Sequence, residues 1–546
     1  MEDRSLGYRA PLLWLVIPMM GGIAAGYLLD LRDALWPLAA AVPAAVVAAA
    51  SGDRPVRWTC SLALAFFCAG AAAEVMQRKR LTDWNDLPPR EARLQLRIER
   101  LYSSGADGHA TGLAEVIATD PHLADLAGQR LQFSLSREGP APTPVRRAIF
   151  SAVGVLIVVP EHPAPGSFES HLAGSGTNFR LNRGRLLEEQ RPAPAYDRLC
   201  ASAAIRFRAI LDIGLVEKRP ELAALLRGMM LGEKKEISEE QQAIFMRSGT
   251  MHLFAISGLN IGVIAVALQA LLALARVPHW PRVIVAAVLL WIFVDITGGS
   301  ASAVRAWFMA TFVQAAFVLG RPANVLAALT ASAAATILLS PLQVFGASFV
   351  MSYAIVLALL LLGLPLASRW KKSWSPWRDV PEVAWTRAQR LSAAIWSGAS
   401  GALALGVATT LVSMLTGVLY FQLITPGALI ANLLLLPAAA GVTVGGFVSL
   451  LFGLFGVEWA ALLANHAAAL LLLLIERGLQ AGVEVPGMFL EARYAAPWVG
   501  PVALTMLIAA ILHGYARGWR REAGGWWPPF VVVAVTLMLG VSYGPS

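Results

Sequence analysis

Charge is scarce in this sequence. Asp, Glu, Lys and Arg make up 14% of the 546 residues, against roughly 25% in an ordinary soluble chain. With 57% hydrophobic residues and a mean hydropathy of +0.60, that scarcity excludes a single soluble globular domain. Cysteine is nearly absent as well. The three present, Cys60, Cys68 and Cys200, leave residues 81–199 with none, so no disulfide can form within that stretch and no CxxC pair is available for a metal. The eight histidines make no HxH, HExxH or HxxxH spacing, so neither metal nor cofactor is expected. No GxxxxGK[ST] occurs, which excludes a P-loop ATPase, and no acidic pair has the spacing of a magnesium site. The expectation is a protein that is not an enzyme.

Long apolar runs fill most of the chain. Three open it, at about 10–29, 34–50 and 58–77. Arg4 and Arg9 precede the first as a signal peptide's basic segment would, but the run is long and two more follow, so it reads as a retained first helix. From residue 250 onward about ten further segments recur: 253–275, 283–298, 303–319, 324–340, 343–366, 394–420, 426–453, 458–476, 497–513 and 529–543. Pro437 leaves open whether 426–453 is one tilted span or a broken pair.

Residues 78–195 differ in character. Arg93-Leu-Gln-Leu-Arg97-Ile-Glu99 alternates polar and apolar, as a half-buried strand does. Residues 111–119 and 129–136 read as further strands between Gly, Asp and Pro turns, and Val153–Val159 is β-branched but too short to cross a bilayer. Several short strands in this stretch suggest a small β-barrel. It holds 13 Arg against 14 Asp and Glu over 81–198, so the net charge of +9 lies in loops that flank apolar segments. Residues 196–247 return to helical texture, with Ser238 and Gln241 spaced as a capping box, and are expected to lie on the membrane surface or wedge between spans.

The chain thus divides into N-terminal helices (1–77), a β domain (78–195), a helical linker (196–247) and a multi-span region (248–546). If the β domain is outside, the inward loops carry Arg276 and Arg282, then Arg321, then Arg369, Lys371, Lys372, Arg378, Arg387 and Arg390, then Arg517, Arg520 and Arg521. That distribution obeys the positive-inside rule. One run, Arg78-Lys79-Arg80, would sit on the wrong side.

Polar residues inside apolar helices must be paired or face a cavity. His252, Ser257 and Asn260 fall in a glycine-punctuated stretch, and Gly258 with Gly262 forms a GxxxG pair that admits a neighbouring helix. The polar groups either line a path or hydrogen-bond between helices. Asp295 and Arg305 flank Gly298-Gly299, either as functional groups or as a structural ion pair with each other. Arg90, Arg93, Arg97 and Arg100, with Arg180, Arg183 and Arg185, form two basic clusters in the β domain. They suit either a nucleic-acid groove or solvated strand faces, and aromatics are sparse, Tyr102 and Phe133 being the main ones.

The stretch Phe245-Met-Arg-Ser-Gly249-Thr-Met-His252-Leu-Phe-Ala-Ile-Ser257-Gly258-Leu-Asn260-Ile-Gly262 resembles the signature of the ComEC family of competence DNA-uptake channels. Gly299, Ser302, Arg305 and Ala306 extend the resemblance, as do Gly320-Arg321-Pro322, Ser340-Pro341, Ser348-Phe349, Ser352-Tyr353, and Asn432 with Pro437. Pro165-Gly166 with Phe168-Glu169 is similar to the segment closing that family's external OB-like domain. The resemblance implies a polytopic α-helical membrane protein of the bacterial cytoplasmic (inner) membrane, with an inserted small all-β, OB-like extracytoplasmic domain. It implies a channel that passes single-stranded DNA inward during natural transformation.

Its channel residues would include Gly249, His252, Ser257, Gly258, Asn260, Asp295, Ser302, Arg305, Ser348, Ser352 and Asn432, and its DNA contacts Arg93, Arg97, Arg180, Arg183 and Arg185. Its partners would be single-stranded DNA, membrane lipid, a DNA-receptor protein outside and a cytosolic ATPase or strand-binding protein inside, with a homo-oligomer as a further expectation. The sequence ends at Ser546 without the metallo-β-lactamase-like domain of many members, and Asn260 stands where the family usually has histidine. Any nuclease activity would then fall to another protein or be absent. A transporter of a small anionic or lipid substrate, with an external binding domain, is the alternative.

Overall fold

The computed structural model describes residues 10–544 except 82–83, 85–87, 105–107, 120, 138–142, 162, 164–166, 234, 255, 322–323, 375, 378–379 and 521–523. Arg4, Arg9, Pro165, Gly166, Ala255, Pro322, Arg378 and Arg521, all used above, lie outside the described residues.

Three helices open the chain: α1 (Leu13–Leu28), α2 (Leu35–Ala49) and α3 (Pro55–Arg78). Small residues bring α1 and α3 into backbone contact. A Cβ on Gly22 would sit 1.8 Å from the Phe67 carbonyl oxygen, and one on Gly70 would sit 2.2 Å from that of Met19. Only glycine fits at either place, and the gain is close van der Waals packing.

Strands β1 (Arg90–Ser104), β2 (His109–Thr119), β3 (Arg130–Arg137), β4 (Ile149–Val158) and β5 (Phe179–Arg191) close into a barrel in the order β1-β2-β3-β5-β4. All pairs are antiparallel except β3 with β5. The alternation read from sequence sets the two faces. Leu94, Leu96 and Ile98 are buried, while Arg93, Gln95 and Arg97, which alternate with them, are exposed. Phe133, Phe150 and Phe179 fill the interior, and Trp84 meets Phe179 edge to face at 5.7 Å.

The fifth strand was not visible in the sequence, because a bulge breaks its alternation. Pairing shifts register between Val153 and Val155 and between Ser134 and Leu135. At that point a Cβ on Gly184 would lie 1.9 Å from the Val153 carbonyl oxygen. A short helix, α4 (Phe168–Gly174), joins β4 to β5.

The linker folds as α5 (Ala195–Asp212), α6 (Pro220–Leu231) and α7 (Glu239–Arg247), the last opened by the capping box of Ser238 and Gln241. Of the two expected places, α6 takes the wedge: every residue from Leu222 to Leu231 is buried. The one charge within that buried stretch, Arg227, is 4% exposed and pairs with Asp212, Glu233 and Glu236.

Ten helices follow: α8 (Gly258–Leu274), α9 (His279–Ile296), α10 (Ala301–Val318), α11 (Val325–Leu339), α12 (Ala347–Ser373), α13 (Arg387–Phe421), α14 (Ala428–Leu454), α15 (Glu458–Val483), α16 (Val499–Ala516) and α17 (Trp527–Leu539). Among the described residues, nine helices of the chain are long and apolar enough to cross a membrane, and four shorter apolar ones accompany them. Helix α14 runs unbroken through Pro437, which settles the open choice there as one helix. A small sheet of β6 (Leu423–Ile424), β7 (Leu490–Tyr494) and β8 (Val541–Tyr543) ties α13, α15 and α17 together at their ends.

The two arginines of the basic run at the end of α3 are engaged inside the protein, while Lys79 between them is exposed. Arg78 pairs with Glu74, donates to the Ala173 carbonyl at 2.8 Å and lies 4.7 Å from the Tyr27 ring centre. Arg80 meets Asp30 at 3.1 Å and Glu161 at 3.8 Å. Paired arginines of this kind carry less topological weight than free loop cations.

Candidate functional site

The glycine-punctuated stretch does not gather into one polar pocket. Gly249 (φ +71°) turns the chain against α14, where a Cβ would come within 2.7 Å of Thr425 Oγ1 and 2.9 Å of Ala428. His252 is exposed, and its Nδ1 lies 3.2 Å from the Gly249 carbonyl oxygen. Ser257 caps α8 by accepting from the Asn260 amide at 3.4 Å. Asn260 is buried, donates to the Met229 carbonyl at 3.1 Å and accepts from Thr443 Oγ1 at 3.2 Å. It therefore joins α6, α8 and α14, the interhelical reading of the two offered by sequence. A Cβ on Gly258 would lie 3.9 Å from Ala306 of α10, and one on Gly262 would meet nothing within 4 Å. The GxxxG pair thus does not seat a helix along both of its glycines.

The Asp295–Arg305 pair is not formed. Gly298 (φ +84°) and Gly299 (φ +58°) turn the chain between α9 and α10, and the two charges find different partners. Asp295 accepts from Arg146 Nη1 at 2.8 Å and from the Tyr196 hydroxyl at 2.9 Å. Arg146, just ahead of β4, also reaches Asp197 at 2.8 Å, and Arg147 reaches it at 3.4 Å. Asp197 and Asp295 have side chains only 1% and 6% exposed, so two buried carboxylates met by partly exposed arginines join the barrel to α5 and α9. Burial works against the Arg146 charge, but its hydrogen bonds to Asp295 and Asp197 prevail and raise its pKa. Burial, followed by the bond to Asp295, raises that of Tyr196. Arg146, Tyr196 and Asp197 escaped the sequence reading. The adjacent Arg146-Arg147 ahead of an apolar β-branched run was the one available signal.

Arg305 is 1% exposed and points to α12. Its Nη2 donates to both the carbonyl and the hydroxyl of Ser348 at 2.7 Å, and the Tyr353 ring centre lies 5.8 Å from the guanidinium carbon. Ser332 donates to the Arg305 carbonyl at 3.2 Å and shares a hydrogen bond with the Tyr353 hydroxyl at 2.9 Å. Nε and Nη1 of Arg305 are buried without a hydrogen-bond partner. The structure thus brings Arg305 and Ser348 together. Ser302, one turn before Arg305, and Ser352, one turn after Ser348, are half-buried. Asn432 lies apart on α14 with its Oδ1 buried and unpartnered.

Barrel closure partly merges the two basic clusters. Arg93 pairs with Val153 across β1 and β4, Val153 with Arg185 across β4 and β5, Arg185 with Ser136, and Ser136 with His109. Arg93 and Arg185 are exposed and lie about 10 Å apart, two strand spacings. Beside them an open hollow of about 480 Å³ is lined by His109, Ser134, Ser136, Asn182, Arg183, Gly184 and Arg185. Arg97 is engaged by Glu115, and Arg180 by Glu169 at 3.5 Å and Gln132 at 3.4 Å. Among the described residues no group of three or more His, Cys, Asp or Glu is placed to hold a metal.

The model of the family described as Competence protein matches residues 229–517, more than half of the chain. The chain belongs to the competence protein family. The match runs from the end of α6 to the end of α16 and so contains Asn260, Asp295, Arg305, Ser348 and Asn432. ComE operon protein 3 of Bacillus subtilis (strain 168) is 24% identical over 142 residues, which are 26% of this chain and 18% of that protein. The aligned part is thus less than a fifth of that relative's length. No solved structure matches the chain. A member of the competence protein family with this many long apolar helices is a multi-pass membrane protein.

Proposed function

We propose that this competence protein conducts single-stranded DNA across the bacterial cytoplasmic membrane, with the barrel on the outer face. The observation that carries the reading is the junction at Asp295. Through Arg146 it fixes a barrel with a cation-edged hollow directly onto the helices that the family shares. The strand order β1-β2-β3-β5-β4 supports an OB-like barrel, a fold that commonly holds single strands in a basic groove. Phosphates moving into an electrically negative interior meet a barrier of roughly 2.3 kcal/mol per charge per 100 mV. With no ATP motif in the sequence, the pull comes from a cytosolic ATPase or strand-binding protein docking on the basic loop that bears Arg369, Lys371, Lys372, Arg387 and Arg390. A DNA-receptor protein delivers the strand from outside.

The test is reconstitution in liposomes with an interior-positive potential. Labelled single strands should enter a nuclease-resistant pool and duplex should not. Entry of small organic phosphates with exclusion of every strand would replace this reading with that of a small-anion transporter. Neutralising the five loop cations should weaken partner capture and uptake together; unchanged capture would remove the docking hypothesis.

A further inference from the structure

The start of α12 combines three features that the DNA-uptake reading leaves unused. The helix opens at Gly346 with no side-chain cap; the Phe349 amide donates to the Gly346 carbonyl at 2.9 Å, which leaves the amides of Ala347 and Ser348 without an acceptor, and the helix dipole presents positive charge there. Ser348, its second residue, is exposed. Its hydroxyl oxygen accepts from Arg305, which leaves the hydroxyl proton to donate elsewhere. Behind it stands the buried Arg305 guanidinium with Nε and Nη1 unpartnered, and among the described residues no carboxylate pairs with it. A desolvated cation without a counterion is costly unless an anion completes it. Tyr353, Ser332 and Thr336 beside it offer hydroxyls and no charge.

We infer that the first turn of α12, Ser348 and Arg305 together form an anion site for a phosphodiester oxygen. Ser348 and the helix amides touch the anion, and Arg305 supplies charge from behind. The site lies on the barrel side of the helices. The turn Pro341–Phe345 that leads into α12 receives the end of α3, the Leu342 amide donating to Gln77 at 3.2 Å. A Cβ on Gly176, beside β5, would come within 2.5 Å of Leu342. A strand leaving the barrel would reach this site on entering the helices. Only the identity of the anion as DNA rests on the channel reading; the anion site itself does not.

The test uses Ser348→Cys in the full-length protein in lipid nanodiscs. The parent chain with its natural thiols serves as the blank. An anionic sulfonate and a cationic ammonium methanethiosulfonate are compared as a ratio of rates, which cancels any change in thiol acidity. The anionic reagent should be favoured by about tenfold, with the preference kept by Arg305→Lys and lost in Arg305→Met. Oligodeoxythymidylate should slow the reaction. Slowing by inorganic phosphate alone would keep the anion site and defeat the DNA reading. A ratio unmoved by Arg305→Met, or a thiol that neither reagent reaches, would overturn the proposal.

Discussion

Arg227 of α6 and Arg305 of α10 are both arginines buried among apolar helices, at 4% and 1% exposure. Arg227 is surrounded by Asp212, Glu233 and Glu236, whereas Arg305 has a serine, a tyrosine ring and two unpartnered nitrogens. A buried charge with its counterions in place is structural, and removing it strands those counterions. A buried charge without counterions contributes little to the fold and is poised for a partner the fold does not contain. The same contrast appears between Asp295 and Arg305. The first is consumed at the barrel junction and the second is not.

The comparison predicts its own tests. The largest effect is expected in Arg305→Met, which should abolish uptake while shifting stability by less than about 1 kcal/mol, since no ion pair is broken. Equal loss of thermal stability and of uptake would erase the distinction between the two arginines. Arg227→Met should do the reverse and lower stability by about 2 kcal/mol, because it leaves Asp212 unpaired at a half-buried site while Arg208 still holds Glu233 and Glu236. Thermal unfolding in detergent measures it, and a change within error would mean that the cluster is merely a surface network.

On the barrel, Arg183→Gln with Arg185→Gln should weaken strand binding and reduce the salt dependence by about 0.7 in log–log slope for each phosphate no longer neutralised. An unchanged slope would place the strand elsewhere. The smallest effect concerns Glu233. Burial, only partly offset by Arg208 and Arg227, raises its pKa, so the fold favours the protonated form. Its contribution is full below the ordinary carboxylate range and is lost as pH rises through the raised value. Glu233→Gln should therefore slightly flatten the stability profile on that rising side, and a steeper profile would reverse the sign.

The apolar helices were legible because length and hydropathy are local properties, and the first strands because alternation is. Strand β5 was hidden by the bulge at Gly184, whose cause is the backbone of Val153, a residue thirty-one positions away. The charged partners were hidden for a related reason. Asp295 and Arg305 are neighbours in sequence, but the turn at Gly298 and Gly299 sends one to a barrel loop and the other to α12. Asn260 could be seen as a polar residue on an apolar helix, yet nothing in sequence said that Met229 and Thr443 would satisfy it.

The most direct test of the account is DNase-protected uptake of radiolabelled DNA in cells that carry or lack this protein. Surface-bound DNA is measured alongside. The account predicts that deletion empties the protected cytosolic pool and leaves surface-bound DNA in place. A protected pool of unchanged size in the deletion would contradict it.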